Sequence, residues 1–266
     1  MLGAIIGDTI GSIYEWNNYK GKDFPLYSSK CFLTDDSIMT LAIAKALLES
    51  GKDLKKLSLN AVKEMQTLGR KYPGRGYGGN FLEWLSLDHP EPYYSCGNGS
   101  AMRISPVGFA ASSIEEAISL SKAVTEVTHN HPEGLKGAEA MAVAIVLARQ
   151  GKKIPEIRDY IEKHYYPIDF TLDSLRPTYE YDVTCQGTVP PSLEAFFESH
   201  SFEDAIRNAI SLGGDSDTLV AITGGLAEAY YGIPPKIRQK QLTYMDPFEI
   251  NILEEFEKKY PSDPKN

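Results

Sequence analysis

Cysteine is scarce in this sequence, and the three that occur, Cys31, Cys96 and Cys185, are odd in number and far apart. They form no CxxC pair, so their spacing indicates neither a disulfide framework nor a zinc knuckle. A chain with so few thiols and no pairing pattern fits a reducing cytoplasm, which is the compartment that we expect.

Basic residues are also in deficit, because 27 Lys and Arg stand against 36 Asp and Glu and give a formal net charge of −9. This charge argues against general binding to nucleic acid or to an anionic membrane, although it leaves room for a local anion site. No run of about eighteen uncharged apolar residues occurs, so we expect no membrane span. The apolar start, Met1 to Asp8, lacks the basic residues of a secretory signal.

Helical periodicity dominates the 266 residues, of which 42% are hydrophobic and 24% charged, enough to bury a large core. Apolar residues recur at three- and four-residue steps in six segments, several of which end at a glycine. The predicted helices cover residues 35–50, 53–70, 113–128, 132–150, 201–212 and 215–231. Strand-like alternation is scarce, so the pattern predicts a single all-α domain of roughly ten or more helices.

Two stretches depart from this periodicity. The segment from His164 to Pro191 is rich in tyrosine and proline and is predicted to be a long ordered excursion without regular structure. Residues 261–266 are predicted to form a flexible C-terminal tail, which places the domain at residues 1–260.

The first predicted helix carries glycine at every fourth position, at Gly3, Gly7 and Gly11. Glycine costs about 1 kcal/mol relative to alanine in a helix interior, so we expect tight packing against another helix to offset this cost. Asp8 and Glu15 lie on another face of the helix, where lining a pocket and facing solvent are equally compatible with the pattern.

Two clusters of acids and hydroxyls each open an apolar helix: Thr34-Asp35-Asp36-Ser37 and Gly213-Gly214-Asp215-Ser216-Asp217-Thr218. A helix N-terminus needs one capping oxygen, and either cluster alone is explained as an oversupplied cap. Adjacent carboxylates repel unless a cation lies between them, and oxygen-only ligands select Mg²⁺, Mn²⁺ or Ca²⁺ over zinc. The occurrence of both clusters therefore favours one metal site built from two distant segments.

Two glycine-rich loops are candidates for ligand contact. Asn98-Gly99-Ser100-Ala101-Met102-Arg103 could hold an anion with bare backbone N–H groups and an arginine. Arg75-Gly76-Tyr77-Gly78-Gly79-Asn80 could let the backbone approach a ligand while the tyrosine stacks on a ring or packs. A plain turn and a flexible connector explain the same two patterns.

Two histidines, His129 and His131, stand just before a long predicted helix. Their spacing at i and i+2 is poor for a transition-metal pair, and we expect one of them to donate to a phosphate or a sugar hydroxyl instead. Cys185 has no base beside it in the sequence and is interpreted as a packing residue.

Five motifs together resemble the ADP-ribosylglycohydrolase family. They are Gly7-Asp8 with Gly11 and Glu15, Thr34-Asp35-Asp36-Ser37, residues 97–103, Thr128-His129, and residues 213–218, in the order that the family has them. Each motif is short, but the ordered set covers most of the chain. The resemblance implies an orthogonal all-α helical bundle that holds two Mg²⁺ or Mn²⁺ ions at the floor of an ADP-ribose cleft.

The resemblance also implies a role for each matching residue. The implied metal ligands are Thr34, Asp35, Asp36, Asp215, Asp217 and Thr218, with Asp217 between the two ions. Glu15 matches the acid at the scissile bond, and we hypothesise that it shares the proton transfers with Asp36. The implied substrate contacts are Gly76, Tyr77 and Gly78 near the adenine, and Asn98, Gly99, Ser100, Met102, Arg103 and His129 around the distal ribose and diphosphate.

The implied function is metal-dependent hydrolysis of the bond between ADP-ribose and a modified target, with a protein side chain as the expected partner. One alternative is a catalytically silent ADP-ribose-binding or structural member of the same fold. Another is a different two-metal hydrolase, such as a phosphatase. The motifs describe the ADP-ribose half of the site, whereas the region of Tyr179-Glu180-Tyr181 and Cys185 to Pro190 is expected to border the leaving group.

Overall fold

Helices account for all the regular structure in the computed structural model of the chain, which describes residues 1–51 and 53–262. The helices are α1 (Leu2–Gly11), α2 (Asp35–Ser50), α3 (Leu54–Lys71), α4 (Gly79–Ser86), α5 (Gly99–Met102), α6 (Ser105–Ala110), α7 (Ile114–Thr125), α8 (Pro132–Arg149), α9 (Ile154–His164), α10 (Leu172–Leu175), α11 (Cys185–Phe197), α12 (Phe202–Ile210), α13 (Ser216–Tyr231), α14 (Pro235–Leu242) and α15 (Pro247–Lys259). Within the described residues no strand forms, and the only bridge joins Gly97 to Thr184. The all-α prediction is confirmed.

All six predicted helices are present, as α2, α3, α7, α8, α12 and α13. Their starts agree with the prediction to within a residue, and all of them except α13 have a side-chain cap, such as the Thr34 hydroxyl that accepts a hydrogen bond from the Asp36 N–H. Helix α7 ends at Thr125 and not at residue 128. Gly232, with φ of 72°, ends α13 as predicted.

The prediction of an irregular excursion from His164 to Pro191 is wrong, because α10 lies inside this segment and α11 begins there. Pro190 and Pro191 lie within α11, where each lacks the N–H that would bond the carbonyl one turn earlier. One carbonyl released in this way, that of Gly187, accepts a hydrogen bond from the Tyr179 hydroxyl (3.1 Å). The helix therefore accommodates both prolines, although prolines at these positions argue against a helix when only the sequence is considered.

The glycines of α1 lie directly against α13. A Cβ atom on Gly3 would lie 2.2 Å from the carbonyl oxygen of Gly224, and one on Gly7 would lie 2.1 Å from the carbonyl oxygen of Val220. These separations are far below van der Waals contact, so only glycine fits at these positions. The predicted tight packing of the first helix is confirmed.

At its C-terminal end the same contact reaches the second acidic cluster. A Cβ atom on Gly11 would lie 2.5 Å from the Cα atom of Asp217, in the first turn of α13. The packing of α1 therefore fixes the position of the acidic first turn of α13 relative to the residues that follow Gly11.

Buried apolar side chains form a cluster that includes residues from α1 to α15, from Met1 to Phe256. Among the residues that the structure describes, every helix is too short or too polar to serve as a membrane span. In the predicted C-terminal tail, the Ser262 hydroxyl donates to Glu228 (2.9 Å), and residues 263–266 lie outside the described part of the chain.

Replacing Gly7 with alanine should destabilise the protein. The new methyl group would clash with the Val220 carbonyl at 2.1 Å, so α1 and α13 must separate, and we expect the free energy of unfolding to fall by about 1–3 kcal/mol or more. Urea denaturation followed by circular dichroism measures the change. Gly79→Ala is the matched control, because its Cβ would meet no atom within 4 Å. Equal stability of Gly7→Ala and wild type would contradict the packing.

Candidate active site

A cavity of about 630 Å³ lies at the N-terminal ends of α2 and α13. Its walls come from the turn after α1, the two glycine-rich loops, the segment before α8 and the segment before α11. The predicted site residues that line it are Glu15, Thr34, Asp35, Asp36, Gly76, Gly78, Asn98, Gly99, Met102, Arg103, His129, Asp215, Asp217 and Thr218. The fold therefore brings together residues from motifs that are up to two hundred positions apart.

Tyr77 and Ser100 are absent from this lining. The Tyr77 hydroxyl donates to the Tyr72 carbonyl (3.1 Å), and its ring packs against Phe81, whose side chain reaches the cavity. The Ser100 hydroxyl donates to the Gly134 carbonyl (2.8 Å). Each side chain therefore anchors its loop through a hydrogen bond to a backbone carbonyl and does not line the cavity.

Buried carboxylates are concentrated at one end of the cavity. Asp8, Asp36 and Asp217 offer oxygens that all lie within 4.8 Å of one another, and so do Glu15, Asp215 and Asp217. Asp217 belongs to both groups. Burial, followed by the charges of the neighbouring acids, raises the pKa of Asp36 and of Asp217 well above the usual range.

Asp36 carries the most specific sign that these acids suit a cation. Its Oδ2 accepts hydrogen bonds from the Thr218 hydroxyl (3.3 Å) and the Thr34 hydroxyl (3.4 Å). Its Oδ1 is buried and has no hydrogen-bond partner within residues 1–51 and 53–262. An orphan carboxylate oxygen in an oxygen-only cluster fits a hard divalent cation, which Asp36, Asp215, Asp217 and the two threonine hydroxyls could hold.

Asp8 has a different environment from the other acids. It accepts hydrogen bonds from the backbone N–H and the hydroxyl of both Thr34 and Ser37, so it anchors the first turn of α2 to α1. Burial raises the pKa of Asp8 to about 6 in spite of these donors. Because both carboxylate oxygens of Asp8 already accept hydrogen bonds, Asp8 orients the carboxylate cluster by holding the first turn of α2 in place.

Asp35 lines the same cavity, next to Asp36 in the first turn of α2. It belongs to neither of the three-carboxylate groups found among the described residues, and its Oδ1 would lie 3.1 Å from a Cβ atom on Gly76. Burial, with the charge of Asp8 next, raises its pKa to about 8. Asp35 therefore lies between the carboxylate cluster and the glycine-rich loop of residues 75–80.

The second acidic cluster reaches the cavity because two consecutive glycines turn the chain. Gly213 and Gly214 have backbone φ angles of 67° and 69°, which residues other than glycine rarely adopt. The turn directs Asp215 toward Asn98, whose Nδ2 donates to its Oδ2 (2.7 Å). The glycine-rich loop of residues 98–103 is thus bonded directly to Asp215.

The cavity lining also includes Arg103, a buried arginine that is only 1% exposed. Its Nη2 donates to the Thr128 hydroxyl (2.5 Å), but its Nε has no hydrogen-bond partner in the described part of the chain. Burial lowers the pKa of the guanidinium to about 10, so the group is still charged at neutral pH. A buried cation held by neutral groups is suited to an incoming anion.

His129 lies beside Arg103. Burial, and then the charge of Arg103, lowers the pKa of His129 well below its usual range, so the imidazole is neutral. The Arg103 Nη2 lies 3.4 Å from Nδ1 and can only donate, which assigns the proton to Nε2. Nε2 lies near Gly99, because a Cβ atom added to Gly99 would be 3.3 Å from it. The imidazole N–H therefore faces the glycine-rich loop at the cavity wall.

Sequence reasoning missed the aromatic side chains of the cavity. Most of these aromatic residues are isolated in loops, where they show no periodicity, so nothing in the sequence distinguishes them from core residues. The expectation that the segment around Tyr179-Glu180-Tyr181 borders the site came nearest. The aromatic side chains in the lining are Trp16, Phe32, Phe81, Tyr93 and Tyr181.

Comparisons with known proteins agree with this assembly of motifs. The family model described as ADP-ribosylglycohydrolase matches residues 1–261. ADP-ribosylhydrolase ARH3 of Mus musculus is 24% identical, over 88% of this chain and 83% of its own. ADP-ribosylarginine hydrolase Tri1 of Pseudomonas putida (strain GB-1) is 27% identical, over 90% of this chain and 72% of its own. A solved "ADP-ribosylglycohydrolase-related protein complex" superposes with a TM-score of 0.73 and 25% identity, over 98% of this chain and 95% of that chain.

Divalent cations should stabilise the protein through the carboxylate end. At about 100 times its Kd, Mg²⁺ or Mn²⁺ should add roughly 2.7 kcal/mol to the free energy of unfolding, seen as a higher Tm than in EDTA. Asp217→Asn should lose most of this rise, because Asp217 belongs to both carboxylate groups. Asp159→Asn, at an exposed position of α9, should keep it. A rise that survives undiminished in Asp217→Asn would contradict the assignment of the site.

Proposed function

The chain belongs to the ADP-ribosylglycohydrolase family, and on that premise we propose that it hydrolyses the bond between ADP-ribose and a modified target. The expected target is a protein side chain, ADP-ribose is the expected product, and two Mg²⁺ or Mn²⁺ ions are the expected cofactor. The names of the relatives ARH3 and Tri1 describe hydrolases of this kind, which supports the proposal. We place the reaction in the cytoplasm, where free thiols such as Cys31, Cys96 and Cys185 stay reduced.

The observation that carries the proposal is that one cavity contains buried groups of both signs. The buried carboxylates around Asp36 and Asp217 line it, and so does the buried guanidinium of Arg103 beside His129. ADP-ribose matches this arrangement, because its diphosphate can neutralise the arginine while its proximal ribose extends to the carboxylates. The volume of about 630 Å³ lies within the range of small-molecule sites.

The contacts to ADP-ribose follow from this orientation. Arg103, the His129 Nε2–H and the backbone of Asn98 and Gly99 are assigned to the diphosphate and distal ribose, with Met102 beside them. Gly76 and Gly78, together with the ring of Phe81, are assigned to the adenine end. Tyr77 and Ser100 hold these two loops in place through their hydrogen bonds to backbone carbonyls.

Hydrolysis replaces the bond between the anomeric carbon of the proximal ribose and the target atom with a bond to the oxygen of water. The transition state resembles an oxocarbenium ion, and a proton must leave the water and another must reach the leaving atom. A divalent cation, when bound at the carboxylates, supplies Lewis-acid stabilisation and fixes oxygen ligands. The residues that would hold the two expected ions are Thr34, Asp35, Asp36, Asp215, Asp217 and Thr218.

Glu15 is assigned the proton transfer nearest to the leaving atom. It is half-buried at the cavity wall, and burial, followed by the charge of Asp215, raises its pKa. A raised pKa suits a carboxyl group that must exchange protons near neutral pH. Asp36 is assigned the second proton transfer, on the side of the water.

Release of ADP-ribose from an ADP-ribosylated protein tests the proposal. Glu15→Gln should lower kcat by about 100-fold or more, because the amide cannot transfer the proton. Asp217→Ala should lower the rate at least as much at saturating Mn²⁺. Glu255→Gln, at an exposed position of α15, should keep the wild-type rate.

Each competing function predicts a different product in that assay. A two-metal phosphohydrolase that cut the diphosphate would release AMP and leave phosphoribose on the target. A silent family member would bind ADP-ribose in a calorimetric titration but release nothing from arginine-, serine- or nucleic acid-linked substrates. Wild-type rates in both Glu15→Gln and Asp217→Ala would contradict the proposed mechanism.

Arg103→Met should weaken ADP-ribose binding without weakening the fold. The variant removes a charge that is buried without an acidic partner, so we expect the free protein to be as stable as wild type or more stable. The Kd for ADP-ribose should rise at least tenfold, because the diphosphate loses its charge-assisted hydrogen bonds. Calorimetry and urea denaturation measure the two quantities. An unchanged Kd would remove Arg103 from the anion site.

A further inference from the structure

Asp215, one of the residues assigned to the metal ions, follows directly after the turn formed by Gly213 and Gly214. It is the N-cap residue of α13, but its side chain makes no capping hydrogen bond to the backbone of that helix. Glycine leaves the backbone freer than any other residue does. The position of the Asp215 carboxylate therefore depends on groups outside α13 that hold this turn.

Two side chains from the segment after α1 bond the backbone on either side of the glycines. The Nζ of Lys20 donates to the carbonyl oxygen of Leu212 (2.5 Å), the residue before Gly213. The Gly214 N–H donates to Oδ1 of Asn18 (3.2 Å). Asn18 has a φ of 43°, in the left-handed region that asparagine tolerates better than most residues. The glycine turn is thus bonded at both ends to the same short segment.

Lys20 also joins this turn to a third segment, which is anchored independently. Its Nζ donates to the carbonyl oxygen of Tyr179 (2.5 Å) and lies 5.9 Å from the centroid of the Tyr179 ring. The Tyr179 N–H donates to the Leu175 carbonyl (2.9 Å), and the Tyr179 hydroxyl donates to the Gly187 carbonyl (3.1 Å). One ammonium group therefore ties the glycine turn to a neighbour that is already held in place.

The glycine turn fits closely between these two segments. A Cβ atom on Gly213 would lie 2.3 Å from Oδ1 of Asn18, and one on Gly214 would lie 2.9 Å from the carbonyl oxygen of Glu180. A displacement of either segment would therefore change the path of the chain toward Asp215. Hydrogen bonds from a charged donor are roughly twice as strong as those between neutral groups, so Lys20 contributes more to this restraint than Asn18 does.

We propose that Lys20 is a positioning residue for the metal centre, because its ammonium group fixes the turn before Asp215 and so raises the affinity of the site for divalent cations. The inference rests on the proposed function, which supplies the expected ions. Ligands that are held in place lose less conformational entropy when they bind, so the cation is bound more tightly. Lys20 is absent from the cavity lining and therefore acts through Asp215.

Calorimetric titration of Mn²⁺ into the full chain, after treatment with EDTA, tests the proposal. Lys20→Met should raise the Kd for Mn²⁺ about tenfold, as expected when hydrogen bonds of a charged group are lost. The direction of this change is decisive, because removal of a positive charge would by itself favour a bound cation. Lys22→Met is the matched control: Lys22 is exposed, its Nζ lies 3.7 Å from Asp204, and its loss should leave the Kd unchanged.

The dependence of hydrolysis on Mn²⁺ gives a second readout. Lys20→Met should need about ten times more Mn²⁺ for half of its maximal rate, and it should approach the wild-type kcat when Mn²⁺ is saturating. A role in folding alone would lower the free energy of unfolding in EDTA and leave the required Mn²⁺ concentration unchanged. Asn18→Gly removes the other contact but keeps a residue that adopts a positive φ, and it should raise the Kd several-fold.

A Kd for Mn²⁺ that is unchanged or lower in Lys20→Met would overturn the inference and leave the proposed hydrolase intact. If Lys20→Met does not fold, an unchanged Kd in Asn18→Gly overturns it. A wild-type protein that binds no Mn²⁺ would refute the expected cofactor together with the inference. A wild-type protein that binds Mn²⁺ but releases no ADP-ribose would refute the proposed hydrolysis alone, and the Kd values would still decide the role of Lys20.

Discussion

The direct backbone contact between α1 and α13 is the constraint on which the rest of the site depends. Because Gly7 and Gly11 carry no side chain, the first turn of α13 lies against α1, and Asp217 comes within reach of Asp8. Asp8 in turn accepts the hydrogen bonds of Thr34 and therefore fixes the start of α2. Three helices that are distant in sequence are thus joined through a few atoms at one point.

That arrangement is costly before any ligand binds. The carboxylates of Asp36 and Asp217 are buried together, and their raised pKa values express the repulsion and lost hydration. Arg103 is buried without forming an ion pair among the described residues. A bound cation would offset the repulsion among the carboxylates, and a bound anion would offset the buried charge of Arg103.

Much of the fold and site could be predicted because the relevant signals are local. The caps of α2 and α13 and the acids within them occupy consecutive positions, and the glycines of α1 have a simple period. The contacts that complete the site are not local: Asn98 bonds Asp215 across 117 positions, and Tyr181 bonds Glu15 across 166. A sequence pattern also cannot tell which ring of a loop faces a ligand. The motif drew attention to Tyr77, but Phe81 reaches the cavity.

The crossing of α1 and α13 also limits how this sequence can change. At Gly3 a Cβ would lie 2.2 Å from the carbonyl oxygen of Gly224, and at Gly224 a Cβ would lie 2.2 Å from the carbonyl oxygen of Gly3. The obstacle on each side is backbone, and both residues are already the smallest available. No substitution at Gly3 or Gly224 can make room for a side chain at the other position. A destabilising substitution at one of these two glycines therefore has no suppressor at the other.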